Sequence, residues 1–357
     1  MCGPIAKKGH PAVGGYQSNN LRILDSLQAQ NIDIRALPYA QPQSRGIKKI
    51  AIYFCGFIAL AVRVVTLQEK AIIHVTALRR AFLAPELVLI LLAKIRRCRI
   101  IFDIRDGLAQ DSDLIERSKN YRRVYAQALK FADLVMVEGE AQISFVTNLC
   151  GKTPLHIPNQ VDLKTIPIRS LRQEKGLNPK IAYAGAIKAE KGIWIILETA
   201  RIMQSNGVSP KICLAGSGSE DFISNLKEEF KYLDMEWLGP LVASEVLDLF
   251  SDSDFFVFPT QWPGEGQSNA LTEAMACGCV PVVSDHGFNA ATVGNSGVVL
   301  NAEATSVDYA RELQRIWRTA EWETLSFRAK EQIKLKFSSL IISKKLLDAY
   351  KSLGLEL

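Results

Sequence analysis

The sequence predicts an α/β fold of two doubly wound domains, each built on a parallel sheet with helices on both faces. Short apolar runs rich in β-branched residues alternate with helical patterns along the whole chain, which is typical of covered parallel sheets. At 357 residues the chain is longer than one hydrophobic core usually covers, so two domains are expected. The runs predicted as strands are 71–76, 99–104, 134–139, 180–185, 211–216, 254–259 and 280–285.

Helical patterns fall between these strands, at residues 18–30, 85–97, 114–132, 192–206 and 244–250, with a further amphipathic stretch at 337–353. The periodicity breaks in the polar segment between residues 155 and 180, which predicts a linker. We therefore expect an N-terminal domain at 1–160, a second domain at 161–335 and a last helix at 336–357. Ligands of doubly wound sheets bind beyond the carboxyl ends of the strands, so two such domains facing each other would enclose a cleft.

Charge is distributed unevenly along the chain. Residues 1–150 hold 21 Lys and Arg against 12 Asp and Glu, and a basic cluster lies at Lys94, Arg96, Arg97 and Arg99. This asymmetry favours an N-terminal half that rests on an anionic membrane or an anionic acceptor. The alternative is a solvated basic face that affects only solubility. No recognisable nucleic-acid-binding module accompanies the basic residues, so no nucleic acid is expected as a partner.

Cellular location is predicted from the cysteines and the apolar runs. Seven scattered cysteines indicate reduced thiols, and we take Cys277 and Cys279 as small core residues. The apolar run 50–62 is followed by Arg63 and is shorter than the ~20 residues of a spanning helix. It predicts a helix that is buried or lies in an interface. With no secretory signal visible, we expect a cytoplasmic protein, attached peripherally to the inner face of the cytoplasmic membrane.

The most informative segment is a loop and helix at residues 258–285. A strand ends at Pro259, and a helix begins near Ser268 or Asn269, both good N-cap residues. The first backbone amides of a helix have no partner within the helix and lie at the positive end of its dipole, and here these are expected to be the amides of Gln267 to Ala270. They suit a phosphate or sugar oxygen.

Two carboxylates, Glu265 and Glu273, flank the start of this helix. Helical side chains lean toward the N-terminus, so Glu273 is expected to point back to the same place as Glu265. Ionised carboxylates only accept hydrogen bonds, which suits the vicinal hydroxyls of a sugar. The alternatives are a favourable acidic residue early in a helix for Glu273 and a solvated loop carboxylate for Glu265.

The pattern Glu265-Gly266-x6-Glu273-Ala274-Met275-Ala276-x-Gly278-x-x-Pro281 resembles the EX7E motif of the retaining GT-B glycosyltransferases of family four. The resemblance implies that Glu265 contacts the donor sugar and that Glu273 binds the ribose hydroxyls. It also implies that the loop and helix start at Gly266, Gln267, Ser268 and Asn269 lie against the bound nucleotide sugar.

Other segments resemble the same family in the same order. Residues 9–19 are similar to its N-terminal glycine loop, which implies that Gly14 and Gly15 lie near the donor phosphates. Residues 183–200, which begin the donor domain, place Lys191 at the family's diphosphate-binding lysine and Gly185 at a strand end, and 214–220 place Gly216 at the next. The chain departs from the family at Ala186, where arginine is usual, so Lys188 is expected to assist Lys191, and at Gln160, where glycine is typical.

The segment "DIRD" at 103–106 resembles a subset of this family that acts on bacterial surface polysaccharides. It implies that Asp106 or Arg105 faces the acceptor, and Asp106 joins Glu265 and Lys191 among the catalytic candidates. The alternative is an Arg105–Asp106 pair that holds a strand end. His74 is interpreted as a satisfied strand histidine and not as a base.

The resemblance therefore implies a retaining, metal-independent hexosyltransferase with no cofactor apart from its nucleotide-sugar donor. The acceptor is expected to be a saccharide or a lipid-linked saccharide in the synthesis of lipopolysaccharide O-antigen or capsule. Two alternatives stay open, a nucleotide-sugar epimerase on the same fold and a non-catalytic subunit that binds sugar nucleotides. A nicotinamide enzyme is not favoured, because Asp221 stands where the third glycine of a dinucleotide fingerprint would fall.

Overall fold

The computed structural model describes residues 1–5, 14–39, 47–67, 71–107, 109–167 and 176–355. It divides into two compact units, unit 1 with Met1–Gln160 and Leu340–Leu357, and unit 2 with Val161–Ser339. Each unit is built on a parallel sheet of six strands among the described residues. The predicted α/β fold with two Rossmann-like sheets is confirmed.

The strands are β1 (Cys2–Gly3), β2 (Leu37–Pro38), β3 (Ile72–Ala77), β4 (Arg99–Ile104), β5 (Leu134–Val137), β6 (Leu155–His156), β7 (Lys180–Ala184), β8 (Lys211–Ala215), β9 (Met235–Gly239), β10 (Phe255–Phe258), β11 (Val280–Ser284) and β12 (Val298–Leu300). The helices are α1 (Gly14–Gln28), α2 (Ile47–Val65), α3 (Leu83–Ile95), α4 (Ala109–Arg117), α5 (Lys119–Phe131), α6 (Ala141–Cys150), α7 (Ile193–Ser205), α8 (Glu220–Glu229), α9 (Ala243–Ser251), α10 (Asn269–Cys277), α11 (Asn289–Val293), α12 (Ser306–Arg318), α13 (Glu321–Lys336) and α14 (Ser339–Ser352).

Unit 1 has the strand order β2-β1-β3-β4-β5-β6. The central strand β4 buries both faces, because its side chains alternate between two apolar clusters. Ile100, Phe102 and Ile104 join the cluster under α2, α3 and α5. Ile101 joins the cluster under α1 and α14. This two-sided burial explains why residues 100–102 and 104 of β4 are all apolar.

The helix α14 is part of the core of unit 1, although it follows unit 2 in the sequence. Leu346 and Tyr350 are buried in the cluster under α1. The Tyr350 hydroxyl lies 2.7 Å from Nδ1 of His74, whose Nε2 lies 3.1 Å from Asp103 Oδ2. Burial lowers the pKa of His74. His74 is therefore a satisfied strand histidine, as predicted.

Unit 2 has the strand order β12-β11-β10-β7-β8-β9. In a doubly wound sheet numbered from β7 as its first strand, this is the order 6-5-4-1-2-3, which reverses direction between β7 and β10. The two strands pair in parallel, with Phe255 opposite Ile181. All four residues of β10 are buried, as expected for a central strand covered on both sides.

Three details differ from the sequence predictions or complete them. The single helix predicted at 114–132 is two helices, because Ser118 ends α4 and caps α5 by accepting a hydrogen bond from the Tyr121 amide at 3.2 Å. All seven cysteines are free, and the buried thiols of Cys277 and Cys279 face backbone carbonyls, which confirms their core role. Gln160, in place of glycine, donates from Nε2 to Ser26 of α1 at 2.7 Å.

Candidate active site

The loops that follow β7, β10 and β11 meet at the carboxyl edge of the sheet in unit 2. The loop after β10 is tied to its neighbours by backbone contacts, since the Gln261 amide donates to Glu190 O at 2.8 Å and Phe288 donates to Gly266 O at 3.3 Å. Gly287 is required here, because it has a φ of +61° and a Cβ would lie 2.6 Å from Glu265 O. This edge, between β7 and β10, is the switch point at which ligands of such sheets bind.

Lys191 and Glu265 meet across the switch point. Lys191 follows β7 and Glu265 follows β10, and Lys191 Nζ lies 2.5 Å from Glu265 Oε2. Their side chains are 18% and 10% exposed. The Thr260 hydroxyl donates to the same carboxylate oxygen at 3.0 Å. The alternative of a solvated loop carboxylate for Glu265 is wrong, because this side chain is buried and accepts two hydrogen bonds.

Trp262 is a residue of this site that the sequence did not single out. The Lys188 ammonium lies 5.6 Å from the centre of its ring, and the Lys191 ammonium lies 6.0 Å from it. Both distances are within cation–π range. The Trp262 backbone is fixed on both sides, by its amide donating to Thr260 Oγ1 at 3.2 Å and by its carbonyl lying 2.7 Å from His286 Nε2. The indole thus holds two cations beside Glu265.

Gly185 and Gly216 allow two loops to approach closely at the ends of β7 and β8. Gly216 has a φ of +139°, and a Cβ there would lie 1.7 Å from Gly185 O. Below them the Tyr183 hydroxyl donates to Ala186 O at 2.8 Å. Burial, together with the Glu265 carboxylate, raises the pKa of Tyr183, so this phenol remains protonated. The Tyr183 hydroxyl thus holds the backbone at Ala186, the position where the sequence departs from the family pattern.

The helix α10 begins beside Glu265. Ser268 is its N-cap and accepts a hydrogen bond from the Leu271 amide at 3.3 Å, as predicted for this position. Gln267 is buried and Asn269 is half-buried. Glu273 is half-buried and is the fifth residue of α10, one turn inside the helix. The predicted loop, cap and helix are thus found in the places that the sequence assigns to them.

A second polar cluster lies at the carboxyl edge of the sheet in unit 1, around Asp106. The Tyr16 hydroxyl donates to Asp106 Oδ2 at 3.0 Å, and Arg79 pairs with Oδ1. Arg80 lies 3.7 Å from the carboxylate. Arg79 is itself buried and also lies 2.8 Å from Asp111 Oδ2. The backbone is strained at three of these residues, with φ of +56° at Arg79, +47° at Arg80 and +139° at Asp106. Strain in bulky residues concentrates at functional sites.

The structure corrects the predicted roles of Arg105. The Arg105–Asp106 pair is wrong, because Arg105 is 3% exposed and donates from Nε to Asp103 at 2.9 Å. Its guanidinium also donates to Ile157 O at 2.8 Å. Arg105 is therefore a buried structural residue, whereas the Asp106 side chain is 14% exposed. Gly14 and Gly15 are exposed at the start of α1, on the same helix as Tyr16.

One cavity in unit 1 is separate from both clusters. It has a volume of about 840 Å³ and is lined by Met1, Ile32, Arg35, Arg63 and Ile72 among others. It lies at the amino ends of the strands of unit 1, whereas ligands of parallel sheets bind at the carboxyl ends. Among the described residues, no three His, Cys, Asp or Glu side chains are grouped so that they could hold a metal ion.

Comparison with known proteins identifies the fold. The structure of sucrose-phosphate synthase from Thermosynechococcus elongatus matches with a TM-score of 0.74 and 17% identity over 99% of this chain and 98% of that one. HepE of Anabaena, solved in complex with UDP-glucose, matches with a TM-score of 0.70 and 17% identity over 98% and 99%. A glycosyltransferase from Rickettsia africae matches with a TM-score of 0.75 and 14% identity over 99% and 98%. The chain has the GT-B fold.

Sequence comparison finds a family match within unit 2. Residues 178–319 match the family described as "Glycosyl transferases group 1", and this segment contains Lys191, Glu265 and Glu273. The capsular polysaccharide biosynthesis glycosyltransferase CapM of Staphylococcus aureus is 27% identical over 184 residues. That match spans 48% of this chain and 46% of CapM.

Proposed function

We propose that this chain is a glycosyltransferase that moves a hexose-type sugar from a nucleoside-diphosphate donor to a saccharide or lipid-linked acceptor in the synthesis of lipopolysaccharide O-antigen or capsule. The observation that carries the proposal is the contact of Lys191 with Glu265 across the switch point of unit 2. A single nucleotide sugar can therefore contact both groups, with its diphosphate at the Lys191 ammonium and its sugar at the Glu265 carboxylate. The family match of residues 178–319 and the likeness to CapM support it.

On the donor side, each member of the site has a partner in a nucleotide sugar. Lys191 pairs with the diphosphate in place of Glu265, and the Glu265 carboxylate then accepts hydrogen bonds from the sugar hydroxyls. Glu273 accepts from the ribose hydroxyls, and the amides at the start of α10 donate to sugar or phosphate oxygens. Lys188, held against Trp262, supplies the second positive charge that arginine supplies in the related enzymes.

The transfer step needs no acid–base pair from the protein. The bond between the anomeric carbon and the phosphate oxygen breaks, and its electron pair leaves with the diphosphate. The acceptor hydroxyl attacks from the same face, forms the new carbon–oxygen bond and gives its proton to the departing phosphate oxygen. Retention follows from this geometry. Negative charge grows on the diphosphate, so the ammonium of Lys191 stabilises the transition state more than the ground state. The two lysines fill the role that a metal ion has in other transferases.

On the acceptor side, we propose that the Asp106 carboxylate accepts a hydrogen bond from the acceptor sugar, the one that carries the attacking hydroxyl group. Tyr16 and Arg79 fix its orientation. Burial raises the pKa of Tyr16, so the phenol keeps its proton and donates to Asp106. We further propose that the protein works at the inner face of the cytoplasmic membrane, where lipid-linked acceptors are found.

The test begins with the purified full chain and a panel of nucleotide sugars, UDP-glucose among them, in a thermal-shift assay. A donor that binds the native state raises the unfolding temperature by mass action. That donor is then incubated with membrane extract, and transfer is measured with Glu265→Gln and, as control, Glu236→Gln on the exposed edge strand β9. We expect transfer by the parent and the control and loss by Glu265→Gln.

Each alternative outcome has its own result. Release of a rearranged sugar nucleotide without any acceptor would identify an epimerase. Donor binding without turnover against any extract would identify a non-catalytic binding subunit. An inverted anomeric configuration in the product, determined by NMR, would refute the retaining mechanism.

A further inference from the structure

We propose that the outward faces of α2 and α3 in unit 1 form one surface that binds an anionic lipid bilayer and lies in its interface. This α2–α3 face consists of Ile52, Phe54, Ile58 and Val62 of α2, Val88, Leu91 and Ile95 of α3, and the arginines at the ends of the two helices. The inference rests on the proposed function only in that the proposed function leads us to expect a membrane. Its own basis is the exposure of apolar side chains on α2 and α3 and the positive charge of the arginines beside them.

The helix α2 is apolar on its outward side as well as on its inward side. Inward, Leu60 and Val64 are 4% and 1% exposed in the core of unit 1. Outward, Phe54 is 65% exposed, Ile58 46% and Val62 54%. These three residues follow one another at four-residue spacing and therefore share one stripe of the helix. A helix whose outward face contacts water would carry polar residues in this stripe.

The helix α3 continues the apolar surface. Val88, Leu91 and Ile95 are exposed at spacings of three and four, and Ile95 is 76% exposed. The rings of Tyr53 in α2 and Phe82, just before α3, lie 4.9 Å apart. At the other ends, Arg96 donates to Leu67 O. The two helices thus run side by side in the same direction over one face of the sheet, and their outward stripes are neighbours.

The exposed charged side chains at the C-terminal ends of α2 and α3 are arginines. Arg63 at the end of α2 and Arg96 and Arg97 after α3 are exposed, and they are gathered at the shared C-terminal end of the two helices. In α2 and α3 only Glu86 is acidic, and it is buried. An apolar stripe bordered by arginines complements a bilayer whose headgroups are anionic, because the side chains enter the acyl boundary while the guanidinium groups meet the phosphates.

The length of the apolar stripe fits binding in the interface and not a span. Among the described residues no helix is both long enough and apolar enough to cross a bilayer. The inward side of α2 is already committed to the core of unit 1, so only the outward side is available to lipid. We therefore expect α2 and α3 to lie parallel to the membrane plane.

The test uses the full chain and its sedimentation with vesicles of phosphatidylcholine, alone or mixed with phosphatidylglycerol. We expect binding to the mixed vesicles that weakens as salt is added. The double substitution Phe54→Glu with Ile58→Glu should lower the partition coefficient at least about tenfold, since it removes two apolar side chains and adds two repelled charges. Arg96→Glu with Arg97→Glu should lower binding to the mixed vesicles by a similar factor.

A matched control comes from unit 2. Phe327 and Leu335 of α13 are 65% and 64% exposed, so Phe327→Glu with Leu335→Glu makes the same chemical change outside the proposed surface. This control should bind vesicles like the parent. Circular dichroism checks that every variant is folded.

Two results would overturn the inference. They are no binding of the parent to the mixed vesicles and an equal loss in the α13 control. If the unbound parent is a dimer in solution that Phe54→Glu with Ile58→Glu dissociates, a second copy covers this face. Transfer to a soluble acceptor is measured separately, so lipid binding without transfer refutes the proposed function alone, and transfer without lipid binding refutes this inference alone.

Discussion

Replacing Lys191 by methionine tests the proposed transfer chemistry most directly. The substitution keeps a long, unbranched side chain but removes the ammonium that lies 2.5 Å from Glu265. In the protein without donor it leaves the Glu265 carboxylate with the hydrogen bond from the Thr260 hydroxyl, at 3.0 Å. In the complex it removes the charge that we assign to the departing diphosphate. The two effects appear in different measurements.

Their magnitudes follow from the geometry. Removing one partner of a buried ion pair costs about 3–5 kcal/mol. Because the Lys191 and Glu265 side chains keep 18% and 10% of their exposure, we expect a smaller loss of unfolding free energy, about 1–2 kcal/mol. Two unit charges 4 Å apart interact by about 4 kcal/mol at the effective dielectric constant near a protein surface. Losing one such stabiliser of transition-state charge typically lowers the rate about 10²–10³-fold.

The assay measures initial rates over a range of donor concentrations, with thermal unfolding of the same samples. We expect kcat/KM of Lys191→Met to fall about 10²–10³-fold, with kcat reduced and the protein still folded. Lys211→Met is the control, since Lys211 pairs with Glu236 at 3.0 Å on the exposed edge of the same unit. It should transfer like the parent. Parental kcat/KM in Lys191→Met would refute the assignment of this lysine to the diphosphate.

Two further predictions concern the scaffold. Gly216→Ala should lower the unfolding free energy, measured in urea, by more than about 3 kcal/mol, because its Cβ would overlap Gly185 O and its φ is +139°. Gly207→Ala is the control, since Gly207 has a φ of +80° and open space around it, and it should lower the unfolding free energy by only about 1 kcal/mol. Equal losses in the two variants would contradict the close approach of the two loops. Burial raises the pKa of Glu86 to about 7 from 4.5, so the folded state holds this proton more tightly than the unfolded state. The protonated Glu86 carboxyl therefore contributes to the free energy of unfolding below pH 4.5, and this contribution is lost as the pH rises through 7. Between pH 4 and 8 the unfolding free energy of the parent should fall by about 3 kcal/mol relative to that of Glu86→Gln. Parallel curves of unfolding free energy against pH for the two proteins would refute this.

Much of the fold could be predicted because its central strands are apolar on both faces. The runs around β4, β7, β8, β10 and β11 have no regular polar alternation, and these runs and the run around β3 agree with the strands within a residue or two. The strands β1, β2, β6 and β12 are not predicted, because they have only two or three residues each, too few for any periodic pattern. Such strands are defined by their neighbours and not by their own composition.

The site was predictable where its residues share one loop and unpredictable where they come from distant parts of the chain. Glu265, Ser268 and Glu273 belong to one strand–loop–helix segment, so their spacing carries the information. The contact of Lys191 with Glu265 joins positions 74 residues apart and needed the resemblance to pair them.

The cluster around Asp106 was only partly predicted, because Tyr16 is 90 residues from Asp106. The sequence carries one signal for this cluster, because the pair Arg79 and Arg80 follows the carboxyl end of the predicted strand 71–76, where ligands of parallel sheets bind.

The position of α14 imposes an order on biosynthesis. Leu346 and Tyr350 complete the core of unit 1, yet the ribosome adds them only after all of unit 2 has been synthesised. Until then, the apolar cluster beside α1 lacks one of its helices, and His74 lacks the phenol that lies 2.7 Å from its ring. Unit 2, whose residues form one continuous segment, can finish folding first. The half of the protein that is translated first is therefore completed last.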